Sequence, residues 1–216
     1  MGRRVMNRRS VLGWMSAATI AVIMIISGVT TTRADDASFA DGAGNFITGL
    51  AEEAINSLAV PGLDKDIRRQ RFRSLMQENF AIKGIAKWAL GRYWRRASAD
   101  ERAQYLRLFE DLMVISYADR FENYSDGKIN VKKTEVRNGK DALVHSKLSR
   151  SGSTKPVEVI WRVRRSEDAF KVVDIMVEGL SMGLTQQKEF SSVIRKNGGK
   201  VDGLLAELRR RLKSNT

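Results

Sequence analysis

Side chains that commonly carry catalysis or bind metal ions are scarce in this sequence. Its 216 residues include no cysteine and one histidine, His145. The lack of cysteine excludes a disulfide scaffold, a thiolate nucleophile and any cysteine-bound metal or cluster. A single histidine excludes a histidine cluster, and its position between Val144 and Ser146 in an alternating pattern favours a structural or surface role.

Local motifs with a catalytic mechanism are few as well. The chain contains no GxxxxGKS or GxxxxGKT phosphate loop, no GxGxxG after a strand and no HExxH pair. The adjacent carboxylates Glu52-Glu53 and Glu110-Asp111 fall on predicted helices, where neighbours in sequence do not face each other. We expect a non-catalytic role and keep one alternative, a small enzyme that uses Asp174, His145 and Tyr117 inside a cavity.

Apolar residues at helical spacing predict helices in the first part of the chain. The pattern indicates helices over 44–58, 64–79 and 82–94. Ser98 and Glu101 then form a capping-box signature, which opens a longer helix that ends near residue 124.

The apolar period changes to two after residue 127. Four alternating segments, centred near Val131, Val144, Trp161 and Ile175, are joined by short connections that predict an antiparallel meander. Two more helices are expected near 186–196 and 201–213. Helices, then strands, then helices predict an α+β fold, with a four-stranded curved antiparallel sheet covered on one face by a helical layer.

The first 34 residues have the composition of an export signal. Four arginines among the first nine residues precede an uncharged run from Ser10 to Thr32, and Thr32-Arg33-Ala34 is a small-x-small cleavage site. The residues around Arg8-Arg9 resemble a twin-arginine signal. We therefore expect a signal peptide at 1–34 and a single domain at 35–216. A retained membrane anchor is the alternative, because the uncharged run approaches the length of a spanning helix.

The charge of the chain indicates which partners it attracts. Lysine and arginine outnumber acidic residues by 38 to 25, and the net charge is +13. A basic protein is attracted to anionic surfaces over long range. In a periplasm these are lipid headgroups and acidic protein patches, so nucleic acid is not the expected partner.

Large apolar side chains are available to face the sheet from the predicted helices. They fit an ordinary filled core, and they fit a hollow core that holds lipid tails, since both need the same residue types at the same spacing. Burying an acyl chain is favourable by about 0.8 kcal/mol per methylene, which would offset incomplete packing. Periodicity alone does not distinguish the two.

Two ordered blocks of sequence carry a family resemblance. The first runs from Phe72 to Tyr124 and includes IAKWALGRYWRRAS at 85–98. The second is FKVVDIMVEGLS at 170–181, followed by Phe190 and by DGLL at 202–205. Together they resemble the periplasmic phospholipid-binding proteins called MlaC, or toluene-tolerance auxiliary components of an ABC transporter. After Ser181 the chain departs from the aromatic-polar run usual in that family.

The resemblance implies an apolar cavity, in which phospholipid tails lie between the helical layer and the concave face of the sheet. Carried over by position, the implied lipid-binding side chains are Trp88, Leu90, Tyr93, Trp94, Phe109, Met113, Tyr117, Val159, Trp161, Val163, Val173, Ile175 and Val177. The face of β-residues Val159, Trp161 and Val163 is expected to point inward, because the opposite face carries Arg162 and Arg164. Headgroup contact or docking to acidic patches is implied for Arg92, Arg95 and Arg96, with a solvated surface as the alternative.

The resemblance also implies a setting for the protein. It implies a periplasmic carrier that needs no cofactor and takes phospholipid as cargo. The cargo would move between an inner-membrane ABC transporter complex, with its membrane-anchored lipid-binding subunit, and an outer-membrane lipoprotein complex. This movement would maintain outer-membrane lipid asymmetry. Two alternatives stay open: another lipid such as a hopanoid, and a basic adaptor that binds anionic membranes or partner proteins without holding lipid.

Overall fold

The computed structural model describes residues 30–124, 126–149, 155–166 and 169–214. Residues 36–216 form a compact unit of their own, and the fold given below is that of this unit. The predicted signal at 1–34 lies outside the described residues except for 30–34, so it stays a prediction, as does the single domain at 35–216. Within the described ranges, no helix combines the length and the apolar character needed to cross a bilayer.

Helices lie before and after the strands. The helices are α1 (Thr30–Leu58), α2 (Lys65–Asn79), α3 (Ile82–Leu90), α4 (Ala99–Tyr117), α5 (Met182–Lys196) and α6 (Val201–Ser214), with 3-10 segments at Gly91–Arg95 and Ala118–Tyr124. The strands are β1 (Lys128–Arg137), β2 (Asp141–Ser149), β3 (Val157–Ser166), β4 (Ala169–Val177) and β5 (Leu180–Ser181). This order confirms the predicted α+β class.

Local signals set the boundaries of α3 and α4. The Ser98 hydroxyl accepts from the backbone N–H of Glu101 at 3.1 Å, and the Glu101 carboxylate accepts from the backbone N–H of Ser98 at 2.7 Å. This is the predicted capping box, and α4 begins directly after it. The expected helix over 82–94 is instead α3 followed by a 3-10 segment, because Gly91 has a φ of 58° that ends the α-helix.

The helix α1 begins at Thr30, well before the predicted start at residue 44. Phe39 and Ala43 are fully buried and continue, four residues apart, the buried stripe of Ile47 and Leu50. Gly42 weakens the helical pattern of the sequence, but packing against β4 accounts for a glycine at this position. A Cβ at this position would lie 2.8 Å from the Phe170 ring, so a larger residue here would have to displace that ring.

The five strands form one antiparallel sheet in the order β1-β2-β3-β4-β5. The strand count is therefore five instead of the predicted four. The fifth strand was missed because β5 has two residues, too few to show an alternating pattern. Its two residues pair with Met176 and Val177 in β4.

Two β-bulges change which residues face inward. In β1, the register shifts between Val131 and Lys133, so Lys132 has no Cα partner in β2. In β4, Asp174 pairs with Arg162 but Val172 pairs with Val163, which leaves Val173 without a partner. A bulge inserts one residue and reverses the alternation beyond it.

The buried side chains form two main clusters. The sheet cluster joins α1 and α2 to the inner face of the sheet through Phe39, Ala43, Ile47, Leu50, Leu58, Leu75, Ala142, Val144, Val163 and Val172. The helical cluster joins α3, the Gly91–Arg95 segment, α4, α5 and α6 through Ala86, Ala89, Leu90, Tyr93, Ala97, Tyr105, Phe109, Leu112, Phe190, Ile194, Val201, Leu204, Leu205 and Leu208.

Candidate functional site: an apolar cavity

A cavity of about 380 Å³ lies between the inner face of the sheet and helices α1 to α5, within the size range typical of ligand sites. Its wall is mostly aliphatic and aromatic. Of the lining residues, only Asp174, Gln186 and Arg120 carry a charged or amide side chain. The wall therefore suits hydrocarbon.

Asp174 is the acidic group in this wall, and the protein itself satisfies it. One carboxylate oxygen accepts from the backbone N–H groups of Ile175 at 2.9 Å and Gly183 at 3.1 Å. The other accepts from the Ser181 hydroxyl at 2.6 Å. The carboxylate thus fastens β4 to the start of α5 and has no need of a ligand.

Other polar groups in the wall are also paired within the chain. The Trp161 indole N–H donates to the Ser146 hydroxyl at 3.0 Å, which in turn donates to the Val159 carbonyl at 3.0 Å. The Gln186 amide donates to the Glu189 carboxylate at 3.0 Å. Because these three groups already have partners, a polar ligand would gain little from them in exchange for its water.

Seven of the side chains implied to bind lipid lie in the cavity wall. They are Phe109, Met113, Tyr117, Val159, Trp161, Ile175 and Val177. The β3 face that carries Val159 and Trp161 points inward, as expected, while Arg162 and Arg164 on the opposite face bind Asp141. Contact of these seven with lipid stays a prediction.

The aromatic run at the end of α3 lies outside the wall, which corrects the expectation for four residues. Leu90 and Tyr93 are buried in the helical cluster, and Trp94 packs against it. Trp88 is 45% exposed and lies against Gly183. The residues of α3 that face the cavity are Ile82, Ile85 and Ala89, one side of the helix at spacings of three and four.

Two valines of the sheet also lie outside the wall. Val163 is fully buried beneath α1 and α2 in the sheet cluster. Val173 is the extra residue of the β4 bulge, so Val172 takes the inward position that simple alternation would assign to Val173. The alternating sequence pattern predicts an unbroken strand here, because nothing in the sequence signals the bulge.

The largest omission from the predicted site is the part of the wall that α1 and α2 supply. It consists of Leu50, Ala51, Ala54, Ile55, Leu58, Phe72, Leu75 and Met76. The helical spacing of these residues was visible in the sequence. Nothing in the spacing showed that they face a cavity, because a filled core has the same pattern.

Of the three arginines implied in headgroup contact or docking, Arg92 and Arg96 lie beside Tyr93, and Arg95 is exposed on the same 3-10 segment. Arg92 donates to the Tyr93 hydroxyl at 3.1 Å, and the Arg96 guanidinium lies 5.9 Å from the ring centre. That hydrogen bond, with the charges of Arg195 and Arg96, lowers the pKa of the phenol against the opposing effect of burial. None of the three arginines is among the residues that line the cavity.

The residues of the enzyme alternative are not brought together. Asp174 and Tyr117 line the cavity, but His145 pairs with Lys133 and Ile160 on the outer face of the sheet. A GxSxG spacing does occur at 179–183. Its serine, Ser181, caps α5 by accepting from the Leu184 N–H and donates to Asp174. The geometry thus gives Ser181 a role at the end of a helix.

Comparison with known proteins gives a consistent family. The model of the MlaC protein family matches residues 50–210. The intermembrane phospholipid transport system binding protein MlaC of Haemophilus influenzae is 25% identical over 123 residues, 55% of this chain and 56% of that protein. The toluene tolerance protein ttg2D of Pseudomonas putida is 23% identical over 121 residues, 55% of each chain. The chain thus spans little more than half the length of these curated relatives.

A solved structure extends the likeness to most of the fold. It is the phospholipid-binding protein from Ralstonia solanacearum in complex with a phospholipid. The identity is 26% and the TM-score 0.69, over 80% of this chain and 97% of that chain. The family match at 50–210 includes every element from the C-terminal part of α1 to α6. The resemblance seen in the sequence is confirmed: this chain belongs to the MlaC family.

Proposed function

We propose that this chain is a non-catalytic carrier that holds the acyl chains of a phospholipid in the cavity between its helices and its sheet. The observation that carries the proposal is the apolar wall, whose polar groups Asp174, Trp161 and Gln186 are already hydrogen-bonded within the protein. Burial of each methylene there would stabilise the complex by about 0.8 kcal/mol. The phospholipid bound to the Ralstonia solanacearum protein and the name of the Haemophilus influenzae relative support this cargo.

The proposal includes a place of action. The carrier works in the periplasm and exchanges phospholipid between an inner-membrane ABC transporter complex and an outer-membrane lipoprotein complex. This exchange maintains outer-membrane lipid asymmetry. Family membership and the signal-like composition of residues 1–34 support it.

Within this proposal, Arg92, Arg95 and Arg96 serve docking and leave the headgroup to other residues. All three are exposed, none has an acidic partner among the described residues, and none lines the cavity. Replacing Arg92 and Arg96 by Glu should slow lipid transfer to membranes that contain the transporter complex. The amount of lipid bound per chain should not change.

The test of the proposal is to count bound lipid. Chain purified without detergent, examined by native mass spectrometry and then by solvent extraction, should carry stoichiometric phospholipid. Ala54→Trp, which fills the cavity from α1, should reduce that amount strongly, because the indole occupies the space of the acyl chains. Ala103→Trp is the control, since Ala103 is an exposed position on α4.

Three outcomes would contradict the proposal in different ways. Equal lipid content in both variants would place the cargo elsewhere. A hopanoid in the extract would keep the carrier and change its cargo. A chain that stays lipid-free after incubation with vesicles would favour the basic adaptor.

A further inference from the structure

Arg120 has an unusual position among the residues that line the cavity. Among the described residues that line the cavity, Arg120 alone is exposed, whereas the others are buried or half-buried. It lies in the 3-10 segment that follows α4. An exposed residue that also lines a cavity marks the rim, where the apolar interior meets water.

The guanidinium of Arg120 is held in place by the last turn of α4. Its Nε donates to the Ser116 carbonyl at 2.9 Å, and its central carbon lies 5.1 Å from the centre of the Tyr117 ring. Tyr117 itself lines the cavity, and burial raises the pKa of its phenol, which therefore stays neutral at physiological pH. The cation thus rests on a neutral aromatic face at the cavity wall.

The acids that flank Arg120 in sequence are engaged by other cations. Asp119 lies 3.0 Å from Arg69 and 3.6 Å from Lys65, and Glu122 lies 3.7 Å from Arg68. No carboxylate among the described residues lies within ion-pair distance of Arg120. Its two terminal nitrogens accordingly have no protein partner there, and an arginine fork of this kind matches the geometry of a phosphate.

We infer that Arg120 binds the phosphate of the cargo headgroup at the rim of the cavity. The inference rests on the proposed function and adds the residue that recognises the headgroup: Arg120 selects a phospholipid over an uncharged diacylglycerol with the same acyl chains. The tails occupy the apolar wall and make no distinction between these lipids, so the selection comes from one cation.

The experiment is a competition between two lipids that differ only in the headgroup. Full chain is incubated with vesicles that contain equal amounts of phosphatidylglycerol and diacylglycerol with identical acyl chains, and bound lipids are counted by native mass spectrometry. The unaltered chain should enrich phosphatidylglycerol. Arg120→Gln should lower that enrichment by about fivefold, the scale of a charged contact open to solvent, with total lipid per chain unchanged.

A matched control lies on the preceding helix. Arg107 is exposed on α4 and does not line the cavity, so Arg107→Gln removes the same charge elsewhere and should leave the enrichment intact. Arg120→Lys should restore only part of it, because an ammonium lacks the planar fork.

Failure of the inference differs from failure of the carrier. Equal enrichment in Arg120→Gln and the unaltered chain, with lipid bound in both, would overturn the role of Arg120 alone. Absence of lipid in every variant would remove the proposed function. Loss of the enrichment on adding excess inorganic phosphate to the unaltered chain only, with Arg120→Gln unaffected, would support a phosphate site at Arg120. Lipid enrichment that is insensitive to Arg120 yet sensitive to free phosphate would overturn it.

Discussion

The helical cluster and the cavity are built from the same kinds of residues, yet one is filled and the other hollow. In the helical cluster Tyr105, Phe109 and Phe190 pack with ring centres 5.8 to 6.2 Å apart, and each is at most 1% exposed. Around the cavity, Phe72 and Trp161 are half-buried because part of their surface faces an opening. Phe109 belongs to both regions.

The difference separates a close-packed region from an open one within the same compact unit. The filled helical cluster joins five helical elements without contributions from the sheet. It can therefore stabilise the fold whether or not the cavity is occupied. The hollow side gives up packing contacts that a filled core would have. This division predicts that the two regions respond differently to mutation.

The largest effect should come from truncating the filled side. Phe190→Ala should lower the free energy of unfolding by about 3 to 5 kcal/mol, because it leaves a void among close-packed rings. Phe72→Ala in the cavity wall should cost clearly less in lipid-free protein, since one side of that ring already lacks neighbours. Urea unfolding measures both, and equal losses would show that the two regions do not differ in packing.

The next effect concerns cargo. Trp161→Glu places a carboxylate in the apolar wall and should abolish bound lipid while the helical cluster keeps the chain folded. Ile160→Glu is the control, because it changes the neighbouring residue on the outer face of the same strand. Native mass spectrometry and circular dichroism report lipid and fold. Unchanged lipid in Trp161→Glu would contradict the assignment of the site.

A smaller effect tests the seam between the two regions. Asp174→Asn removes the charge that fastens β4 to Ser181 and Gly183, and should lower the free energy of unfolding by about 1 to 3 kcal/mol. Neither protein should hydrolyse a lipid ester. Turnover by the unaltered chain that disappears in Asp174→Asn would instead support the enzyme alternative.

The smallest effect is expected in the acid stability of the sheet. Burial opposes ionisation of Asp141, but hydrogen bonds from Arg164 and Arg162 outweigh burial and lower its pKa. A lowered pKa stabilises the fold above the unfolded value of about 4, and this contribution disappears as the pH falls through the lower folded value. Because both arginines are about half exposed, it should amount to roughly 1 kcal/mol.

Acid titration of stability is the measurement for that contribution. Asp141→Asn should be less stable than the unaltered chain at neutral pH, and the two should converge at strongly acidic pH. A constant difference between them down to the lowest pH would show that the ion pairs contribute nothing.

The sequence predictions are correct for features that depend on residues close together in the chain. They are wrong or incomplete for features that depend on contacts with distant parts of the chain. The capping box at Ser98 and the inward face of Trp161 were correct because a side chain's own neighbours determine both. Val173 was misplaced because a bulge arises from pairing with another strand. The walls given by α1 and α2 were missed because spacing shows that a residue is buried but not whether its neighbours fill the space.

The bulge in β1 has a consequence for association between copies of the protein. As the first strand in the order of the sheet, β1 has one edge that pairs with no other strand among the described residues. A long, regular edge invites strands of other molecules to add to it and begins aggregation. Lys132, which has no Cα partner in β2, interrupts that regularity, and the charged residues Lys128, Lys133, Glu135 and Arg137 lie on the same strand. The sheet can thus cover an apolar cavity while its edge disfavours pairing with the strands of other copies.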